Sequence, residues 1–138
     1  MVGQYAHTLD AKGRVFVPAK LRSELGESFI AAAVMDHCVC LYAQSEWDKL
    51  QEGLSAMPMT KARRLQRYLS ANAADVQVDA QGRITLPRHL IDYASLEKEA
   101  LVVGAGNRAE IWNPSAYREV MDSMTSEEVE AEFAELGF

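Results

Sequence analysis

The sequence predicts an α+β protein assembled from two half-length units of one architecture, and three observations lead there. Residues 10–22 read DAKGRVFVPAKLR and residues 79–91 read DAQGRITLPRHLI, with Asp, Ala, Gly, Arg, Pro and Leu identical at an offset of 69. An apolar run of strand length and then a helical apolar spacing follow each copy. A weaker echo at an offset of 70 sets Leu41-Tyr42, Ser45 and Trp47 against Ile111-Trp112, Ser115 and Tyr117.

Each motif predicts a strand, a tight turn and a second strand. In the second copy, residues 76–78 lead into Asp79-Ala-Gln-Gly82, and residues 83–86 lead out. Asp bonds its own backbone two residues on, and Gly13 and Gly82 supply the positive φ of a tight turn. Alternation puts Ile84 and Leu86 on one face, Arg83 and Thr85 on the other. Pro18 and Pro87 suit the first turn of a short helix, and Gly26 closes the first of these helices. The apolar runs 29–35 and 100–103 predict buried strands, paired with 39–42 and 110–112 as one hairpin per half.

Ser45 predicts the N-cap of a helix with Trp47, Leu50 and Leu54 on one face. Asn113-Pro114 does the same for a helix carrying Tyr117, Val120, Met121 and Met124. Thr60 is expected to cap a helix over 61–71, with Leu65, Tyr68 and Leu69 inward and the arginines outward. Thr125-Ser-Glu-Glu128 spells a capping box before Val129, Phe133 and Leu136, whose spacing favours docking on the body. Each half is too small to hold a large core alone, so the halves should pack tightly and further copies against them.

Composition narrows the function. The chain has 138 residues, 49% hydrophobic and 25% charged, which fits a globular protein and excludes a disordered one. Its longest uncharged apolar stretch, 28–35, is too short to cross a bilayer. The first ten residues lack the basic and apolar regions of a secretory signal, and two cysteines make no disulfide framework, so a cytoplasmic protein is expected. Net charge is -6, yet seven acids and no base follow residue 118, leaving +1 over residues 1–118. Lys12, Arg14, Lys20 and Arg22 face only Asp10 within the first 22 residues, and Lys61, Arg63, Arg64 and Arg67 cluster without an acid. An acidic chain can thus present basic faces.

HTLDAKGRVFVPAKLR, QSEWDKL, ANAADVQVDAQGRITLPRHLIDYASL and VVGAGNRAEIWNP together resemble the MraZ family, the two-unit relatives of AbrB-type swapped-hairpin DNA-binding proteins. The resemblance spans essentially the whole chain. It implies two pseudo-repeated AbrB-like β-hairpin units forming a small β-barrel with flanking helices. The corresponding divisions are a first unit at 1–56, a connecting basic helix at 57–73, a second unit at 74–121 and an acidic helix or tail at 122–138. The family's function implies a nucleoid-associated transcriptional regulator, mainly a repressor, that binds promoter direct repeats of the division and cell-wall gene cluster. It also implies ring-shaped homo-oligomers, commonly octamers. By position, DNA contacts fall to Lys12 and Arg14 in the first unit and Gln81 and Arg83 in the second. Asp10, Gly13, Asp79 and Gly82 build the turns, and His7, Lys20 and Arg22 are further candidates. No cofactor, metal, membrane or small-molecule substrate is implied.

The residue types suit that task. A two-stranded ribbon fits the major groove, where arginine offers guanine two donors, worth about 1–3 kcal/mol of discrimination per pair. Lys12 suits phosphate or guanine, and Gln81 adenine or phosphate. The plain alternative is that Asp10–Arg14 and Asp79–Arg83 are internal ion pairs that only shape their turns, worth about 0–1 kcal/mol when exposed. The chain would then be an oligomeric scaffold for protein partners, without specific DNA binding.

Other signals are weaker. Gly104-Ala-Gly106-Asn-Arg-Ala109 matches a dinucleotide fingerprint, but a strand and Pro114 follow where a helix is required, so it reads as a hairpin turn. His37, Cys38 and Cys40 lack a second pair at zinc spacing and read as buried strand cysteines. His7 and His89 have no nucleophile at recognisable spacing, so an enzyme is not expected.

Overall fold

The computed structural model describes residues 1–138. Eight strands and six helices follow in order: β1 (Gln4–Thr8), β2 (Arg14–Phe16), α1 (Ala19–Leu25), β3 (Ser28–Ala33), β4 (Val39–Tyr42), α2 (Gln44–Ser55), α3 (Met59–Asn72), β5 (Ala74–Gln77), β6 (Arg83–Thr85), α4 (Arg88–Tyr93), β7 (Glu99–Gly104), β8 (Ala109–Trp112), α5 (Pro114–Asp122) and α6 (Ser126–Glu135). The α+β class and the two repeated units are as expected.

The pairing carries the repeat further than the sequence shows. One sheet runs β1-β7-β8-β4-β3-β5, every neighbouring pair antiparallel. Exchanging the two units maps this order onto itself. The hairpins β3–β4 and β7–β8 meet at β4–β8, and each unit's first strand lies on the other unit's hairpin. The sheet is open at β1 and β5, so its backbone pairing does not close a barrel.

A second sheet contains only β2 and β6, with Arg14 opposite Thr85, Val15 opposite Ile84 and Phe16 opposite Arg83. The hairpins expected from the apolar runs are present as β3–β4 and β7–β8, whereas the strand, turn and strand of each motif do not form one of their own beyond the single Leu9–Val15 bridge. Each motif turn is closed by its own side chain and by bonds such as Asp10 N–H to Arg14 O, but the emerging strand then pairs with its counterpart in the other unit. Val17 N–H donates to Gly82 O at 2.9 Å and Leu86 N–H to Gly13 O at 2.8 Å, finishing the ribbon at both ends. Alternation explains the exchange: Val15 and Ile84 are fully buried beneath the ribbon, and three-residue strands have no other partner for that face.

Three layers result. Val15, Val17, Leu21, Ile84, Leu86 and Leu90 join one face of the sheet in the main core of 20 buried residues. On the opposite face, Trp47, Leu50 and Tyr117 cover Tyr42 and Trp112, and Leu54 and Leu69 cover Ile30 and Ala32. Central strands β4 and β8 are buried along their whole length, β4 as an unbroken apolar run and β8 with one carboxylate, Glu110, among its apolar residues.

Several local expectations hold. Gly26 ends α1 with φ 90°, and Asn113 Oδ1 caps α5 by accepting from Ser115 N and Ala116 N. Residues 104–109 form a hairpin turn, closed by Ala105 N–H to Arg108 O at 2.9 Å. Others are displaced. Pro18 and Pro87 stand one residue before their helices, as N-caps. Helix α2 starts after Ala43, so Ser45 lies inside its first turn, and α3 starts after Pro58 rather than at Thr60. On α3 Leu69 is buried while Leu65 and Tyr68 stay exposed; Val120 and Met121 on α5 are exposed, as is Met124, which lies beyond the end of that helix. Thr125 Oγ accepts from Glu128 N–H, half of the capping box. Tail residues Phe133 and Leu136 do not dock on their own chain.

Because the units share every outer strand and the ribbon, neither has a complete sheet alone. Ile84→Ala should lower the unfolding free energy by about 2–5 kcal/mol in urea. Tryptophan fluorescence, which samples α2 and β8, and far-ultraviolet circular dichroism should trace one coincident transition, whereas separated midpoints would show independently folding halves.

Candidate nucleic-acid interface

The two motif turns are built alike. Asp10 Oδ1 accepts from Lys12 N and Arg14 N, both at 2.9 Å, and Gly13 N–H returns to Asp10 O at 3.0 Å. Asp79 Oδ1 likewise accepts from Gln81 N and Arg83 N at 2.9 Å, and Gly82 N–H donates to Asp79 O. Gly13 and Gly82 have φ of 79° and 82°, in the left-handed region that a side chain would strain. A Cβ would also clash with backbone or ring atoms, since the Leu86 carbonyl lies 3.0 Å from the position at Gly13 and Phe16 2.8 Å from that at Gly82.

The other carboxylate oxygen holds the arginine. Arg14 Nε donates to Asp10 Oδ2 at 2.6 Å and Arg83 Nε to Asp79 Oδ2 at 3.0 Å. The internal ion pairs are therefore real, but they engage only the inner edge of each guanidinium. The Nη atoms of Arg14 find no protein acceptor, and one of Arg83 reaches Gln81 Oε1 at 3.3 Å. The side chains remain 31% and 30% exposed. A clamped Nε with free terminal nitrogens presents a pre-oriented fork of donors, as recognition of a planar acceptor pair demands.

The ribbon brings the two turns together. Arg14 and Phe16 alternate with buried Val15, and Arg83 and Thr85 flank buried Ile84, so all four lie on its outer face. Arg14 faces Thr85 and Phe16 faces Arg83, placing the arginines diagonally, about 7–8 Å apart along the backbone. Phe16 and Thr85 were not among the expected site residues; the parity that exposes Arg14 and Arg83 points to both.

The further candidates divide. His7 tilts against Phe16 at a centroid distance of 4.9 Å, and burial lowers its pKa below 6.5, which favours the neutral ring at pH 7. Arg22 donates Nε to Val17 O and lies 5.4 Å from the Phe16 ring, beside Gly82. A side chain of the first unit thus borders the turn of the second. Lys12, Lys20 and Gln81 are exposed. Lys61, Arg63, Arg64 and Arg67 are exposed on α3, across the sheet from the ribbon, and form no ion pair.

A family model described as "MraZ protein, putative antitoxin-like" matches residues 1–67 and again 69–136. The chain belongs to the MraZ family. A relative from Carboxydothermus hydrogenoformans is 44% identical over 89% of this chain and 95% of its own length, and one from Halothermothrix orenii is 40% identical over 99% and 98%. A third, from Heliobacterium modesticaldum, is 46% identical over 81% and 80%. All three are named "Transcriptional regulator MraZ", a name without enzymatic content. No helix is long and apolar enough to cross a membrane.

Charge on the turn carboxylates sustains this order. The backbone N–H of Arg14, above all, holds the Asp10 carboxyl below its ordinary 3.8 against an opposing push from burial, and Arg83 does the same for Asp79. A depressed pKa contributes stability that is present above the ordinary value and lost as pH falls through the lowered one. The amide resonances of Arg14 and Arg83 should therefore move with midpoints below pH 3.8 in an NMR titration. Midpoints at or above that value would contradict the clamp.

Proposed function

We propose that this chain is a sequence-specific DNA-binding transcriptional regulator, mainly a repressor, acting at promoter direct repeats of the division and cell-wall gene cluster through its Asp-x-x-Gly-Arg loops. The observation that carries the reading is the outer face of the β2–β6 ribbon, where Arg14 and Arg83 sit diagonally with donors left over from their aspartates. A major groove about 12 Å wide admits a two-stranded ribbon. Arg14 and Arg83 read guanine edges; Lys12 reaches phosphate or guanine, and Gln81 adenine or phosphate. Arg22 and Lys20 add positive charge beside the second loop and on α1, and His7 supports Phe16 from below.

One ribbon makes few contacts, so binding relies on repetition. A ring-shaped homo-oligomer, an octamer in this reading, presents many ribbons to successive repeats and gains affinity through effective concentration. Exposed Leu65, Tyr68, Val120, Met121 and Met124 supply apolar surface for neighbouring copies. Helix α5 covers the sheet face opposite the ribbon, so the acidic tail leaves from the side away from DNA, as phosphate repulsion requires. The work is done in the cytoplasm, at the nucleoid.

Mobility shifts and fluorescence anisotropy with DNA from upstream of the chain's own gene test the reading. Arg14→Ala and Arg83→Ala should each weaken operator binding by at least about 5–150-fold per ribbon, the equivalent of 1–3 kcal/mol, while light scattering shows the parental assembly. Affinity for scrambled DNA should change less. Log affinity should fall with log salt by about 0.9 for each phosphate neutralised. Parental and Arg14→Ala proteins with equal preference for operator over scrambled DNA would favour a scaffold without specific binding.

A further inference from the structure

A second polar cluster lies on the other side of the sheet, unused by the ribbon. Cys38, Cys40 and Tyr42 point from one face of β4 and its leading turn, and Glu110 stands directly opposite Cys40 on β8. Both cysteines are fully buried and Glu110 nearly so. The sulfur atoms and a Glu110 oxygen all lie within 4.8 Å of one another. His37, which the sequence sets beside the cysteines, is not part of this group: it is exposed and stacks on Tyr93 at 5.0 Å. The third donor comes instead from the other unit, 70 positions after Cys40, where only strand pairing could bring it.

We propose that Cys38, Cys40 and Glu110 form a binding site for one thiophilic divalent cation of the zinc class, bridging the two units at the β4–β8 seam. Four arguments carry it. Two thiolates and a carboxylate are a donor set that zinc accepts, with bonds of about 2.3 Å to sulfur and 2.0–2.2 Å to oxygen. Tetrahedral bonds of that length place two sulfurs about 3.8 Å apart, inside the observed spacing.

Charge balance favours occupancy. The cation enters as two thiol protons leave, so the buried cluster gains no net charge, and Arg108 already balances Glu110. Glu110 is also held in place. Oε1 accepts from Trp112 Nε1 and Oε2 from Arg108 Nε, both at 3.0 Å, and each oxygen keeps a lone pair for a metal. A further oxygen is at hand in the Met35 carbonyl, 3.6 Å from Cys38 Sγ.

The fourth argument is access. The thiols lie beneath a surface turn in which Asp36 and His37, both exposed, have φ of 60° and 54°. Two successive non-glycine residues in the left-handed region store strain, and a turn that can relax is a short route inward.

The test uses the full-length, reduced protein freed of metal by a chelator. Native mass spectrometry with Zn²⁺ should show one cation gained per chain, and titration in weakly buffered solution the release of protons from the two thiols. With Cd²⁺ as probe, thiolate-to-cadmium charge-transfer absorption should saturate at one equivalent and weaken as pH falls. Cys38→Ala and Cys40→Ala should each abolish the band, Glu110→Gln should lower affinity at least tenfold, and His37→Ala should leave the titration unchanged. The native mass measurement needs no variant, so a misfolded substitution does not shield the proposal. Absence of an adduct, an adduct without proton loss, or an unchanged cadmium band in Cys38→Ala would overturn it.

Discussion

The exchange of strands β2 and β6 between the two units is the constraint on which the rest of the structure depends. Each strand is three residues long, too short to hold a place in a sheet alone. It persists because its central residue, Val15 or Ile84, is buried in the shared core and because glycine carbonyls at both ends accept the last backbone donors. The same glycines need a left-handed φ for the turn and an open Cα for close approach. Turn geometry, ribbon pairing and core burial therefore rest on Gly13 and Gly82, and a change to any one propagates to the others.

This arrangement lets a small acidic protein hold two guanidinium groups ready on one surface. The aspartates bear the ordering cost: each binds two backbone amides and one Nε, so most of the arginine's freedom is gone before a ligand arrives. Such an ion pair adds little to folding at a third exposure. Its value lies in direction. The internal pairing occupies the inner edge of each guanidinium, so it does not exclude the outward recognition proposed for the same side chain.

The two faces of the sheet are chemically distinct. Beneath the ribbon the core is aliphatic. On the helix-covered side, aromatic rings, two thiols and a buried carboxylate meet near the β4–β8 seam. That seam joins the units at the centre of the sheet as the ribbon joins them above it, and the acidic tail and the basic α3 face belong to this second side.

Much of the fold and of the candidate site was legible in the chain itself. The doubled DAxGR turn, the buried hairpin strands, the Gly26 helix end and the Asn113 cap follow from local rules: side-chain bonds to nearby amides, φ preferences and the burial of apolar runs. The same rules place Arg14 and Arg83 in their turns, made by residues four positions apart, while the resemblance to the family is what made them candidates for DNA contact. Local rules do not say which strand a short segment will choose. That Arg14 lies across from Thr85, that Phe16 and Arg22 border the opposite unit's turn, and that Glu110 rather than His37 joins the cysteines were decided by pairing between residues some 70 positions apart. Only the tertiary structure settles such pairings, because the energy that selects them comes from burying both units' faces in one core.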